Sequence, residues 1–322
     1  MKKHLFIFSL FLLSISLIGC SKRESVFSTN PENYIDQSSI LKGKISGLLT
    51  LEHSPYRVMG KIEVDSLSTL TIEPGVSLYF SDSSGLIVRG KLVAQGKQGE
   101  PVTFTPDKDM THWHGIQFVH SRDTSLLSFA IIEKISITMN DIEDIGAVTM
   151  DYSSVTIRNS IVRNNSSPEG GGIYSRNSRC EITNSVFMNN QAGIFGGAVL
   201  AYSSDLVFIN NTVYKNSTQN YGGGLVIWEP SSSLVENNIF YYNYGRTGTP
   251  GIAVKGESSK SVIKYNYEAF GINTPPRFLS ETNLHLSENS PCINNGDPNP
   301  TFNDLDNSRN DQGAYGGPMG NW

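Results

Sequence analysis

The chain has 322 residues, enough for one large domain or two of ordinary size. Only 17% of the residues are charged, the net charge is −5, and no stretch is rich in Lys or Arg, which excludes a basic nucleic-acid-binding surface. The 30 glycines, together with frequent Asn and Ser, favour turns and strands over helices.

The first twenty residues predict a targeting segment that lies outside the fold. A basic start precedes an apolar run from Leu5 to Ile18, which is too short for an ordinary membrane span. The run ends in Leu17-Ile18-Gly19-Cys20, which resembles the lipobox of bacterial lipoproteins. The resemblance implies lipidation of Cys20 and an anchored envelope protein, and Ser21 in place of Asp implies the outer membrane. A plain secretory signal with a chance cysteine is the alternative.

Residues 61–135 contain short apolar segments that are separated by turn residues. The segments STLTIEPGVSLYF (68–80) and GLIVRGKLVAQG (85–96) are typical of strands joined by glycine turns. SFAIIEKI (128–135) continues the pattern, and we expect all three segments to belong to one sheet structure.

From residue 115 onwards two landmarks recur with one period, and a third strand-like run lies between them. The glycines that precede apolar strands, spaced by 31, 26, 25, 27 and 27 residues, are Gly115, Gly146, Gly172, Gly197, Gly224 and Gly251. The asparagines that precede a second apolar pair, spaced by 25, 27 and 26 residues, are Asn159, Asn184, Asn211 and Asn237.

A period near 26 residues with about three short strands predicts an all-β solenoid, the right-handed parallel β-helix. Each strand pairs with its equivalent one coil above, about 4.8 Å away, so about eight coils make a rod roughly 40 Å long. The predicted division is a signal peptide over 1–19, a lipidated Cys, linker and N-terminal cap over 20–60, the β-helix over 61–270, and a C-terminal cap over 271–322.

Two resemblances support this fold. Phe187-Met-Asn-Asn190 followed by Gly196-Gly197-Ala198-Val199 resembles the FxxN and GGA[ILV] pair of the chlamydial polymorphic outer-membrane protein repeat. The segments SPCINNGDPN (290–299) and DLDNSRNDQGAYGGP (304–318) resemble the closing part of many secreted bacterial right-handed β-helix repeat proteins. The resemblances imply a pectate-lyase-like fold and a surface location, whereas that fold serves lyases, hydrolases and adhesins alike.

The recurring asparagines and glycine pairs are interpreted as structural. Stacked Asn amides at a corner hydrogen-bond along the column, as in an Asn ladder, and Asn tolerates the left-handed backbone of a tight corner. The glycine pairs are expected to make sharp turns without the steric penalty of a Cβ.

No catalytic pair of carboxylates is visible. Asp151 has no carboxylate at the equivalent position of either adjacent coil, where His120 and Asn177 stand, and His114-Gly115 has no Asp pair beside it. We therefore predict no catalytic residue and a non-catalytic protein, with a polysaccharide lyase or hydrolase as the alternative because loops can still assemble a site.

Two segments raise the question of a metal. On a strand, His112 and His114 would share a face and could chelate a metal ion. The alternative, which we favour, is that Trp113 packs against a coil corner and the histidines flank it. Near the C-terminus, oxygen ligands alternate as in a calcium loop, although Tyr315 stands where a bidentate Glu is expected. The calcium ligands would be Asp304, Asp306, Ser308 and Asp311. An Asx-rich turn is the alternative, and no cofactor is required.

Three aromatic residues in the repeat, Tyr174, Tyr202 and Trp228, would suit stacking on a sugar, or would simply pack at the surface and corners. Cys180 and Cys292 are either a disulfide in an oxidising envelope or two buried free thiols. The sequence therefore predicts a monomeric, lipid-anchored surface protein that adheres to, or binds, a polysaccharide or a protein.

Overall fold

The repeat folds as the right-handed parallel β-helix that the sequence predicts, with about eight turns. The computed structural model describes residues 33–35 and 39–322, except 109, 111, 140, 142–144, 230–231, 257–259 and 272–273. The signal segment and Cys20 lie outside the described residues. Within these described ranges, no helix is long and apolar enough to cross a bilayer.

Each turn contributes strands to three parallel sheets, which form three faces of the rod. The strands of face 1 are Gly85–Val88, Ile116–Val119, Val148–Asp151, Ile173–Arg176, Val199–Tyr202, Leu225–Trp228 and Ile252–Lys255. The strands of face 2 are Gly47–Leu49, Thr69–Ile72, Lys91–Gln95, Ser125–Ser128, Ser154–Arg158, Arg179–Thr183, Asp205–Ile209, Ser232–Glu236 and Lys260–Lys264. The strands of face 3 are Ser77–Phe80, Val102–Pro106, Ala130–Glu133, Ile161–Arg163, Val186–Met188, Thr212–Tyr214, Ile239–Tyr241 and Tyr267–Ala269.

The later coils add a short fourth sheet between face 3 and face 1. Its strands, which form face 4, are Ser166–Ser167, Gln191–Ala192, Ser217–Tyr221 and Tyr244–Thr247. Two short 3₁₀ helices, Leu51–His53 and Pro300–Phe302, lie in the connections.

The rod begins further towards the N-terminus than the sequence pattern suggested. Ile40–Lys44 and Tyr56–Val64 pair in parallel, and Tyr56–Val64 continues into both face 1 and face 3. Asn33–Ile35 pairs antiparallel with Ile40–Lys44. The stacked strands therefore include part of the segment that the sequence assigned to the N-terminal cap.

The core is a set of columns built from alternate residues of each strand. Phe187 and Phe240 point inward from face 3 and Phe208 points inward from face 2, and all three are fully buried. The ring centroids of Phe187 and Phe208 are 5.8 Å apart, and those of Phe208 and Phe240 are 6.1 Å apart. Phe side chains from two faces thus meet inside the rod and fill its interior, as close packing requires.

The glycine pairs stand where two coils approach closely. Gly196 has a φ of +66°, in the left-handed region that favours glycine. A Cβ on Gly197 would lie 2.2 Å from the carbonyl oxygen of Gly223 in the next coil. The pair therefore serves coil stacking, in addition to the turn that the sequence suggested.

Buried Asn amides form two ladders at the corners of the rod. In the first, the Nδ2 of each residue donates to the Oδ1 of the next at 2.9, 2.9 and 3.0 Å, along Asn165, Asn190, Asn216 and Asn243. In the second, the corresponding distances are 3.1 and 2.9 Å, along Asn211, Asn238 and Asn266. The ladders satisfy amides that would otherwise be buried without partners.

The sequence alignment of the corner asparagines was one residue out of phase in one coil. The left-handed residues, with φ of 48°, 46°, 52° and 58°, are Asn159, Asn184, Asn210 and Asn237. Asn211 instead belongs to the second ladder. The two properties expected of one residue, a left-handed backbone and a laddered amide, are divided between neighbouring positions.

The left-handed asparagines bind the C-terminal segment. Asn184 Nδ2 donates to the carbonyl oxygens of Ala314 and Gly316, at 3.1 and 2.7 Å. Equivalent bonds run from Asn159 to Met319 and from Asn210 to Asp311 and Gly313. Apolar residues of the segment, among them Leu284, pack on the outside of face 3. The C-terminal segment therefore lies against the side of the rod, as well as following its last coil.

Replacing Asn190 with Ala should lower the free energy of unfolding by about 2–3 kcal/mol, because partners of its buried amide lose their bonds. Those partners are Val162, Asn165 and Asn216. Equilibrium urea unfolding measures the change. Exposed Gln191, replaced by Ala, is the control and should change the free energy of unfolding by less than about 0.5 kcal/mol. Equal losses in the two variants would contradict the role of the ladder.

Candidate functional site

Face 1 carries an outward column at the last position of each strand. In-register pairing aligns Asp151, Arg176, Tyr202, Trp228 and Lys255 on five successive coils. Successive members lie about 4.8 Å apart along the rod, since that is the spacing of paired strands. We call this column the face 1 ridge.

An ion pair occupies the first part of the ridge. Arg176 Nε and one terminal nitrogen donate to the two carboxylate oxygens of Asp151, at 2.8 and 2.9 Å. The bidentate bond raises the pKa of Arg176 above its ordinary value. The carboxylate of Asp151 is therefore held in an ion pair with both nitrogens of the Arg176 fork.

The middle of the ridge is aromatic and accessible. The side chain of Tyr202 is 36% exposed and that of Trp228 is half-buried. Their ring centroids are 6.2 Å apart, with an angle of 58° between the ring planes. Two of the three aromatic residues predicted to contact a sugar are thus brought together on neighbouring coils.

Tyr174 is separated from this pair. It stands two positions before the ridge position of its strand and packs with Leu200 and Val226, under the loop residues Ile145 and Phe195. Only 6% of it is exposed, and burial raises the pKa of its hydroxyl to about 12. The structure therefore gives Tyr174 a packing position rather than an exposed one.

The end of the ridge is a cluster of aromatic rings around a lysine. The Lys255 Nζ lies 3.6 Å from the ring centroid of Tyr221, 5.1 Å from that of Trp228 and 5.8 Å from that of Phe195. Phe195 and Trp228 meet edge to face, with centroids 4.6 Å apart. The sequence pattern did not indicate Phe195, Tyr221 or Lys255, although Phe195 and Tyr221 stand just before glycine pairs, one repeat apart.

The predicted calcium ligands lie in the C-terminal segment, and their oxygens accept bonds from the chain itself. Asp306 Oδ1 accepts from the Ser308 backbone N–H and hydroxyl, at 2.9 and 2.6 Å. The carboxylate of Asp304 accepts from the backbone N–H groups of Asp311 and Gly317. This is the Asx-rich turn that the sequence left open, and calcium stays a prediction.

The His112-Trp113-His114 segment is not a strand. Trp113 is fully buried, stacks on Phe80 with centroids 4.1 Å apart, and donates its ring N–H to the Glu133 carbonyl oxygen at 3.1 Å. His112 and His114 therefore do not share the face of a strand. The segment instead packs Trp113 into the core, which is the interpretation that we favoured from the sequence.

Comparison with known proteins identifies a family. A family model described as "Periplasmic copper-binding protein (NosD)" matches residues 32–270. A curated relative, "Protein bark beetle" of Drosophila melanogaster, is 28% identical over 95 residues, which cover 30% of this chain and 3% of that protein. The chain thus aligns with only a small part of that relative. No solved structure matches.

The pH dependence of stability should report the environment of Asp304. Burial raises the pKa of its carboxyl to about 6 from 3.8, so the folded state binds more protons between these values. The contribution of Asp304 to stability is therefore complete below pH about 4 and declines as the pH rises towards about 6. The free energy of unfolding of the wild type minus that of Asp304→Asn, measured over this range, should fall as the pH rises.

The matched control is Asp306→Asn. The hydroxyl and backbone N–H of Ser308 hold the pKa of Asp306 below its ordinary value, so its contribution to stability is lost only as the pH falls below that value. A difference that is flat for Asp304→Asn, or that falls with rising pH for both variants, would contradict this account.

Proposed function

Because the chain belongs to the NosD family of periplasmic copper-binding proteins, we propose that it is a non-catalytic β-helix protein of the cell envelope that binds glycan along face 1. The observation that supports a glycan is the exposed Tyr202 ring beside the half-buried Trp228 ring, on neighbouring coils of the ridge. Aromatic faces suit sugar rings because they bury the apolar C–H surface of the sugar while its hydroxyls stay in water.

The ridge also favours binding over catalysis. Its one carboxylate, Asp151, is bound to both ends of the Arg176 guanidinium fork. Hydrolysis of a glycosidic bond by the common mechanism needs two carboxyl groups that flank the bond. The described part of the ridge offers no second one, since the other members are Arg176, Tyr202, Trp228 and Lys255.

The proposed location is the cell envelope, with an acylated Cys20 as the anchor. The support for the anchor is the apolar run that ends in Leu17-Ile18-Gly19-Cys20. Several acyl chains on one residue would hold the protein stably, since each buried methylene contributes about 0.8 kcal/mol. Ser21 supports sorting to the outer membrane, and the rod would then act as a monomer facing the periplasm or the surface.

The residues that the structure describes do not form a site suited to the copper ion named in the description of the family. No group of three or more His, Cys, Asp or Glu residues within the described ranges is placed to hold a metal ion. Cys180 is fully buried in a core column, where burial raises its pKa to about 12, and burial likewise raises the pKa of Cys292 to about 12. Copper binds the thiolate form, which both sites disfavour, so we assign no copper chemistry to this part of the chain.

Both thiols are free and buried. Cys180 and Cys292 should therefore resist iodoacetamide in the native protein and react at ordinary rates in concentrated urea. Peptide mapping by mass spectrometry reads the two sites separately. Rapid alkylation of either site in the native protein would contradict the burial described above.

Replacing Tyr202 or Trp228 with Ala should weaken binding to a retained polysaccharide about five- to tenfold, as the loss of about 1 kcal/mol of stacking implies. Affinity electrophoresis over a panel of neutral and acidic polysaccharides, with and without calcium, measures the change. Tyr244, which is exposed on face 4, is the control when replaced by Ala. Equal retention of all three variants would contradict the ridge as the site, and product release that depends on a carboxylate would contradict the non-catalytic assignment.

A further inference from the structure

We propose that Phe195, Tyr221 and Trp228 form an aromatic cage for a quaternary ammonium group, and that Lys255 of the chain itself occupies this cage in the structure described here. The cage adjoins the ridge through Trp228, but it faces a cation rather than a sugar ring. The proposal therefore goes beyond glycan binding, and two of its rings, Phe195 and Tyr221, lie outside the ridge.

The rings converge on one point. The Lys255 Nζ is 3.6 Å from the centroid of Tyr221, within the distance of a direct cation–π contact, and 5.1 and 5.8 Å from those of Trp228 and Phe195. All three rings are half-buried, so the cage is partly open to solvent. Water is sufficient to solvate the ammonium of a surface lysine, so such a lysine does not need three aromatic rings around it.

The fold builds the cage from residues in register. Phe195 and Tyr221 are joined by a parallel β-bridge, and Trp228 pairs with Lys255 in neighbouring strands of face 1. Gly248 lies against the Tyr221 ring, where a Cβ would be 2.1 Å from the ring carbon Cε2. The position of the Tyr221 ring is therefore set by the backbone of the next coil.

The chemistry of the cage suits a quaternary ammonium better than it suits lysine. A lysine ammonium has three N–H donors, and within the described residues Lys255 has neither a carboxylate partner nor a hydrogen-bond acceptor for them. A trimethylammonium group has no donor to satisfy and presents methyl groups to the ring faces, so it loses less on leaving water. The cage therefore matches the headgroup chemistry of choline compounds.

Lys255 competes with such a ligand because it is tethered beside the cage. An intramolecular group acts at an effective concentration in the millimolar range, so a free ligand must displace it. Removal of the lysine should therefore increase the affinity of the cage, whereas removal of any other surface lysine should not. This sign of effect is opposite to that expected for a site that uses lysine to bind an anion.

The test measures binding of tetramethylammonium chloride to the full chain by isothermal titration calorimetry. Lys255→Ala should bind at least about tenfold more tightly than the wild type. Lys260→Ala, an exposed lysine of the neighbouring face, should match the wild type. Adding Tyr221→Leu or Phe195→Leu to Lys255→Ala should remove the gain, whereas adding Tyr202→Ala should leave it and weaken glycan retention alone.

Vesicles distinguish the source of the ligand. Binding of Lys255→Ala to phosphatidylcholine vesicles, but not to phosphatidylglycerol vesicles, would identify a lipid headgroup. Binding to tetramethylammonium without either vesicle would identify a small soluble ammonium compound, and both outcomes support the cage. Lys255→Ser serves as a second variant, with circular dichroism to verify the fold. Affinity no higher in the two Lys255 variants than in Lys260→Ala would overturn the proposal, whatever the result for glycan.

Discussion

In-register stacking of parallel coils is the constraint on which the other features of this protein depend. Residues of successive strands pair one to one, so the nearest neighbour of a side chain is its own equivalent one repeat away. A column of buried asparagines is stable because each amide donates to the equivalent amide one coil away, as Asn190 does to Asn216. The face 1 ridge differs because its members are dissimilar, and dissimilar neighbours create sites.

The architecture could be predicted from the sequence because the period of the repeat is visible in two independent sets of residues, the glycines and the asparagines. The position of individual residues within each repeat was harder to determine. Residues 210 and 211 are both asparagine, so the sequence alone does not show that Asn210 has the left-handed backbone and that Asn211 belongs to the ladder. The N-terminal coils were also underestimated, because Ile40–Lys44 and Tyr56–Val64 contain no asparagine and their glycines, Gly43 and Gly60, lie inside the strands rather than before them.

The candidate site was predictable in part. Tyr202 and Trp228 could be selected as aromatic residues in the repeat, but outward position did not ensure exposure, since Tyr174 also points outward and is covered by a loop. Phe195 and Tyr221 were missed because they lie just before the glycine pairs, Phe195 in a connection and Tyr221 at the end of a face 4 strand, where the path of the chain depends on the neighbouring coil. Lys255 resembled any solvated lysine until the rings around it were located.

The contact between the corner asparagines and the C-terminal segment has an evolutionary consequence. Repeat arrays usually lengthen or shorten by duplication or deletion of whole units, because each unit contacts only its neighbours. Here one segment is bonded to four successive coils, from Asn159 to Asn237. Gain or loss of a coil within that span would shift the bonds on one side of the change by one strand spacing relative to those on the other side. This part of the array is therefore expected to keep a constant number of coils, while the remainder is free to vary.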